Sequence, residues 1–150
     1  MKTIKFYTTK GEHGCFSNFS RHSVKLKGKL WLTSEHYFQA QKFVDTPHEE
    51  EVRVEALTPM QAAKMGREHS RPLRKDWETV KDDIMREVVY AKFTQHKALK
   101  ETLLATGDAL LIEHTVNDSY WADGGDGSGK NMLGIILMEV RERIRKEENV

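Results

Sequence analysis

The run from Asp76 to Phe93 constrains the fold most. Trp77, Val80, Ile84, Val88 and Ala91 recur every three or four residues, the spacing that puts side chains on one side of an α-helix. The run predicts a long amphipathic helix whose apolar side must be covered by other elements. Further helices are readable nearby. Thr46-Pro47-His48-Glu49 and Thr58-Pro59-Met60-Gln61 each combine a capping threonine, proline at the first helical position and a Glu or Gln that can reach back, so two short helices begin there. The second is expected to end at Gly66. Thr33 or Ser34 caps a helix from about Glu35 to Val44, with Tyr37, Ala40, Phe43 and Val44 on its core side. Leu99, Leu103 and Leu104 carry the pattern on to Thr106-Gly107, and Asn131 is expected to cap a last helix bearing Leu133, Ile136, Leu137, Val140 and Ile144.

Strand signals are fewer. Ile4 and Phe6, then Val24, Leu26, Leu30 and Leu32, alternate along the chain, with Lys27-Gly28-Lys29 as a hairpin turn. Residues 109–113 read as a buried strand, and the glycine-rich segment 123–129 cannot be a regular element. The expected fold is α+β and helix-rich, a single domain over residues 1–150 with a small N-terminal sheet.

At 150 residues such a domain can bury a core without covalent staples. The one cysteine, Cys15, excludes an internal disulfide and is read as structural. The N-terminus lacks the apolar run of a signal peptide, and no segment reads as a membrane span, so a cytoplasmic address is expected. Charge is abundant but balanced: 24 Lys and Arg against 23 Asp and Glu give a net charge of +1. That balance gives no general attraction for nucleic acid or a membrane surface.

The helix that begins near Ser34 carries a second stripe, Glu35, Gln39 and Lys42, opposite its apolar side. A carboxylate, an amide and an amine on one face are either a solvated surface or a site. As a site, Glu35 would be ionised, since it lies in the first helical turn. Lys42, if desolvated, would be a neutral nucleophile able to form a Schiff base with an opened sugar. A second cluster joins Asp118 to Trp121. It reads either as an Asx turn with the indole over the core, or as a nucleobase contact in which the ring stacks and the acid hydrogen-bonds.

The segment Gly124 to Asn131 approaches a Walker A pattern but has Asn131 where Ser or Thr would hold magnesium, so nucleotide hydrolysis is rejected. What survives is a phosphate cradle of backbone amides around Gly129, against a plain surface turn. Gly14 to Phe19 reads as a ligand-lining loop or as a turn anchored by Phe16 and Phe19. Arg67, Arg71, Arg74 and Lys75 form a basic group, either solvated or phosphate-binding. The histidines have no metal-ligand spacing, and neither metal nor cofactor is expected.

Phe16-Ser17-Asn18-Phe19, the run from Ser34 to Phe43, Met65-Gly66-Arg67, Arg74-Lys75-Asp76-Trp77, Ala91-Lys92-Phe93, Asp118 with Trp121, and Gly129 to Gly134 occur in this order. Together they resemble the YbiA-like (NADAR) family over nearly the whole chain. The resemblance implies a mainly helical domain that cleaves N-glycosidic bonds. Two substrate classes are associated with the family: phosphorylated ribosylamino-pyrimidine intermediates of riboflavin biosynthesis, cut to free base and ribose 5-phosphate, and ADP-ribose attached to guanine bases, including guanine in nucleic acid. By motif, the functional positions fall on Glu35, Trp77, Asp118 and Trp121. The Schiff-base lysine falls on Lys42, with Lys92 as the other motif lysine. Substrate contacts are expected from Phe16, Ser17, Asn18, Phe38, Gln39, Arg67, Trp77, Trp121, Gly129 and Asn131. Ala122 stands where the family pattern has glycine. A catalytically silent nucleotide- or ADP-ribose-binding module is the alternative from another class.

Overall fold

A computed structural model of the protein describes residues 2–149. Its elements follow in the order β1 (Thr3–Phe6), β2 (Val24–Leu26), β3 (Lys29–Trp31), α1 (Ser34–Ala40), α2 (Pro47–Glu55), α3 (Pro59–Arg67), α4 (Trp77–Gln95), α5 (Lys97–Ala105), β4 (Leu110–Glu113) and α6 (Met132–Glu148). Short 3₁₀ turns occupy Gly14–Phe16 and Gln41–Phe43. This is the expected helix-rich α+β content. The small sheet is present as two pairs, β1 with β4 and β2 with β3. The chain divides into two compact units, one of Asn18–Lys92 and the other of the residues up to Ser17 together with those from Phe93 onward.

In the Asn18–Lys92 unit, β2 and β3 form an antiparallel hairpin that turns at Lys27 and Gly28, both at positive φ as a two-residue hairpin turn requires. Val24 opposes Trp31, and both are fully buried. Leu30 and Leu32 are instead 48% and 47% exposed, which corrects the expected pattern. The turn puts Trp31 on the inner side, and parity along a strand then turns both leucines outward. The Trp31 indole donates to Leu26 O at 3.0 Å and packs edge-on against Tyr37 at 5.0 Å.

Thr46 and Thr58 cap α2 and α3 by accepting from the amides of His48 and Gln61. Glu49 and Gln61 reach back to the amides of Asp45 and Leu57, one residue before each cap. Gly66 does not end α3, which continues through Arg67 with Gly66 outside the left-handed region. The need for glycine there is spatial. A Cβ at Gly66 would stand 1.9 Å from the side-chain oxygen of Gln39.

In the other unit, β1 and β4 pair in parallel, with Ile4 opposite Leu111, and α6 packs on β4 and α5. Leu133, Ile136, Leu137, Val140 and Ile144 are buried on α6, as their spacing predicts. Gly134 lets α6 approach the strand, since a Cβ there would lie 2.1 Å from Leu111 O. Asn131 precedes α6 at φ 54° and makes no side-chain cap, contrary to expectation. Its carboxamide turns over Gly134 to β4, accepting from the Glu113 amide and donating to Leu111 O, each at 2.9 Å. Arg141 is buried and donates to Thr106 Oγ1 and Ala109 O at 2.9 Å, closing the turn after α5.

Asn131→Ala removes both bonds to β4 and leaves a methyl-bearing residue at positive φ. The expected cost is about 3 kcal/mol in urea unfolding. Asn131→Gly, which relieves the backbone strain, is expected to cost about 1 kcal/mol less.

Candidate active site

Helix α1 has no solvent side. All of its residues from Ser34 to Ala40 are buried, and it packs against α2, α3 and β3. Its start is held firmly. Thr33 accepts from the His36 amide at 3.1 Å. Asn18 takes the Glu35 amide on its backbone oxygen at 3.2 Å and the Ser34 hydroxyl on its side-chain oxygen at 2.8 Å. His36 bridges Thr33 and Ala56 O through its two ring nitrogens, and burial pushes its pKa down, so the neutral ring serves as a structural tie.

The polar stripe on this helix is thus withdrawn from water. Glu35 is 8% and Gln39 6% exposed, so the solvated-surface reading of the stripe is excluded. Gln39 Nε2 donates to Glu35 Oε2 at 2.7 Å, a bond that favours the ionised carboxylate. Lys42, just past α1, donates from Nζ to Gly66 O at 3.3 Å and lies 5.8 Å from the Trp77 ring centroid. Burial lowers the Lys42 pKa, and Arg67 and Lys81 act in the same direction, against Glu35 and Glu78. Trp77 is buried and packs on Phe38 at 5.0 Å. A carboxylate, an amide, a desolvated amine and an aromatic face therefore belong to one compact unit. Such a set can stabilise a developing cation, or supply an amine nucleophile to a carbonyl carbon.

Of the basic group, Arg71 pairs with Glu51 and Glu68, and Arg74 with Asp76 while its backbone and side chain hold Lys42 O and Gln41 O. Arg67, at the end of α3, is exposed and has no carboxylate partner among the described residues. It differs in this from Arg71 and Arg74. Lys92 on α4 is 1% exposed. Its side chain is engaged within the fold.

The remaining expected positions take local roles. Phe16 is a core residue, edge-on to Phe6 at 5.6 Å and tilted against Phe93 at 5.9 Å, and Ser17 is buried beside it in the chain. Asn18 anchors α1, its remaining amide lying 3.4 Å from Met85 Sδ. Asp118 and Trp121 belong to the unit that contains β4 and α6. There Asp118 Oδ1 accepts from the Tyr120 and Trp121 amides at 2.8 Å, an Asx-type turn, with the half-buried Trp121 against Tyr120 at 4.9 Å.

The glycine loop differs most from expectation. The amide of Gly129 donates to Asp123 O at 2.8 Å, that of Asn131 to Ala122 O at 3.0 Å and that of Lys130 to Ser119 O at 2.8 Å. The Gly125 and Thr115 amides bond the Asp123 carboxylate, which His114 also engages at 2.7 Å. The amides proposed to cradle a phosphate at Gly129 and Asn131 are therefore already bonded. The loop is a self-closed turn around a buried aspartate. Among the described residues no cluster of His, Cys, Asp or Glu could hold a metal ion. Nor is any helix among the described residues long and apolar enough to cross a membrane.

Two substitutions separate local structure from chemistry. Lys42 has a depressed pKa when folded, so between that value and the unperturbed 10.5 the unfolded chain binds more protons and stability rises with pH. Lys42→Met is expected to raise Tm at neutral pH, the gain being full below the folded pKa and fading as pH climbs to 10.5. Asp118→Asn keeps the turn-forming oxygen and removes the charge. Thermal melts are expected to stay within about 0.5 kcal/mol of the parent, so any loss of turnover would report on the charge alone.

Comparison with known proteins fits this chemistry. The NADAR domain family model matches residues 5–145. N-glycosidase YbiA of Escherichia coli K12 is 55% identical over 145 residues, covering 97% of this chain and 90% of that protein. N-glycosidase Npun_R5314 of Nostoc punctiforme is 48% identical, covering 95% of this chain and 93% of that protein. Riboflavin biosynthesis protein VVA0006 of Vibrio vulnificus is 44% identical over 95% of this chain but only 39% of its own length. The NMR structure of E. coli YbiA superposes with a TM-score of 0.90 at 54% identity, covering 98% of this chain and 87% of that one. On this kinship the chain belongs to the NADAR domain family and is an N-glycosidase.

Proposed function

We propose that this N-glycosidase hydrolyses the C1′–N bond of phosphorylated ribosylamino-pyrimidine intermediates of riboflavin biosynthesis, releasing the base and ribose 5-phosphate. The observation that carries the reading is the buried Glu35 carboxylate, held by Gln39 and set in one unit with Lys42 and Trp77. As the C1′–N bond breaks, the bonding pair leaves with the base and the sugar becomes oxocarbenium-like. Ionised Glu35 stabilises that cation and takes a proton from the water that attacks C1′. The departing base takes one proton from solvent, and the proton that Glu35 removes from the attacking water returns to solvent, so one water is consumed overall. Arg67 takes the phosphate, a role its exposure and lack of a carboxylate partner support. The Trp77 ring offers a flat apolar face beside the amine. The riboflavin-related names of the Vibrio protein and of the chloroplastic protein PYRR from Zea mays, 37% identical over 94% of this chain, favour this substrate class.

One observation favours a second reading. The desolvated Lys42 amine suits removal of ADP-ribose from guanine, in which the ring-opened sugar is an imine of the base, the amine adds to C1′ and expels the base with a proton to leave its own imine, and water then frees the lysine and the sugar aldehyde. Such a substrate would include ADP-ribosylated guanine in nucleic acid.

Incubation with a ribosylamino-pyrimidine phosphate, followed by chromatography of the released base, tests the first reading. Glu35→Gln is expected to lower kcat by about 10²- to 10⁴-fold. Full turnover by that variant removes Glu35 from the mechanism. Borohydride trapping with ADP-ribosylated guanosine tests the second: a reduced adduct on Lys42, absent in Lys42→Met, is its expected result. Turnover of neither substrate would overturn both readings.

A further inference from the structure

We infer that Gly66 and Gln39 together form a positioning device for the Glu35 carboxylate, with Gly66 chosen because any side chain there would displace the amide that orients the acid. The inference rests on the reading of Glu35 as the reacting carboxylate. Gln39 is 6% exposed, and its Nε2 is committed to Glu35 Oε2 at 2.7 Å. Its Oε1 is buried without a hydrogen-bond partner. That orphan oxygen lies where a Gly66 Cβ would stand, 1.9 Å from the ideal Cβ position, with Gln39 Cδ 2.7 Å away. The oxygen thus occupies the space that a side chain at residue 66 would need. Gln39 is thus a positioning residue acting through Glu35.

The arrangement also fixes which way round the amide sits. Turning the carboxamide over would put its oxygen against the Glu35 carboxylate and a buried N–H donor against a carbon, replacing one orphan acceptor by a repulsion and an orphan donor. The Gly66 surface therefore selects the orientation that donates to an ionised Glu35. The same residue holds the other end of the stripe, because Gly66 O accepts from Lys42 Nζ at 3.3 Å. One turn of α3 thereby sets both the carboxylate and the amine. Arg67, Glu78 and Lys81, the other charged groups acting on Lys42, are untouched by substitution at Gly66 or Gln39.

The test compares Gly66→Ala, Gln39→Ala and the double variant on the full chain, with Glu35→Gln as control. Each single variant is expected to lower kcat by about 10- to 100-fold, the loss of one charge-assisted bond, with KM within about threefold of the parent. Alanine is a better helix former than glycine, so Gly66→Ala has no intrinsic reason to melt α3. The double variant is expected to match Gln39→Ala within about threefold, since without the carboxamide the new methyl meets only the Cβ of residue 39, at 3.1 Å, which a shift of a few tenths of an ångström relieves. The ¹³C carboxyl titration of Glu35 in the free protein gives a readout that needs no substrate: its midpoint is expected to move up in both single variants as the donor is lost. Additive losses in the double variant, or an unmoved Glu35 titration in Gly66→Ala, would overturn the inference. If Glu35→Gln keeps parental turnover, the catalytic reading of Glu35 falls, while the titration still decides whether Gly66 and Gln39 position it.

Discussion

The Asn18–Lys92 unit depends on keeping a carboxylate out of water. Glu35 sits on a helix buried on every side, where an uncompensated charge would cost several kcal/mol. The surrounding structure answers that cost locally. Asn18 and Thr33 pin the first turn, so the carboxylate starts from a fixed backbone. Gln39, one turn on, supplies a donor at 2.7 Å. Gly66 leaves room for the Gln39 carboxamide to lie in the only orientation that donates, and its carbonyl binds Lys42. A buried charge arranged in this way is stiff, and stiffness at a charged group is what an electrostatic catalyst needs.

The unit that contains β4 and α6 solves a different problem, that of an irregular segment leading into a helix. Asp123 gathers the Thr115 and Gly125 amides and His114, and this hydrogen-bonded hub holds its carboxyl well below the usual carboxylate range. Asn131 then stitches the loop end to β4. The glycines serve close approach and positive φ: Gly124, Gly125 and Gly127 are left-handed, and a Cβ at Gly129 would meet Ala122 O at 2.5 Å. Glycine spacing close to a phosphate loop thus arises here from turn geometry, with its amides turned inward.

Family membership and geometry inform each other. Kinship with N-glycosidases defines the reaction class, and the buried stripe on α1 sets a fixed carboxylate in the Asn18–Lys92 unit, the charge that the proposed mechanism uses. Lys42 adds a second chemical option, because desolvation brings its amine nearer to the neutral form. A carboxylate and a desolvated amine on adjoining turns are the groups that the two proposed routes, hydrolysis by water and exchange through an imine, would each draw on.

Local signals in the chain were enough for most of the elements. The periodic run from Trp77, the Thr-Pro starts of α2 and α3 and the Lys27-Gly28 turn are short-range effects of sterics, capping and side-chain spacing, and each appears as read. The motif residues named Glu35 and Lys42 as candidates on resemblance alone. Burial and partnership were decided only by tertiary packing. Nothing local distinguishes a solvated Glu-Gln-Lys stripe from a buried one, because the difference lies in α2, α3 and β3 closing over it. The outward turn of Leu30 and Leu32, the use of Gly66 as a seat for Gln39 and not as a helix stop, and the diversion of Asn131 from cap to strand have the same origin. Each depends on an atom contributed by a distant segment, and sequence spacing carries no information about which atoms will arrive there.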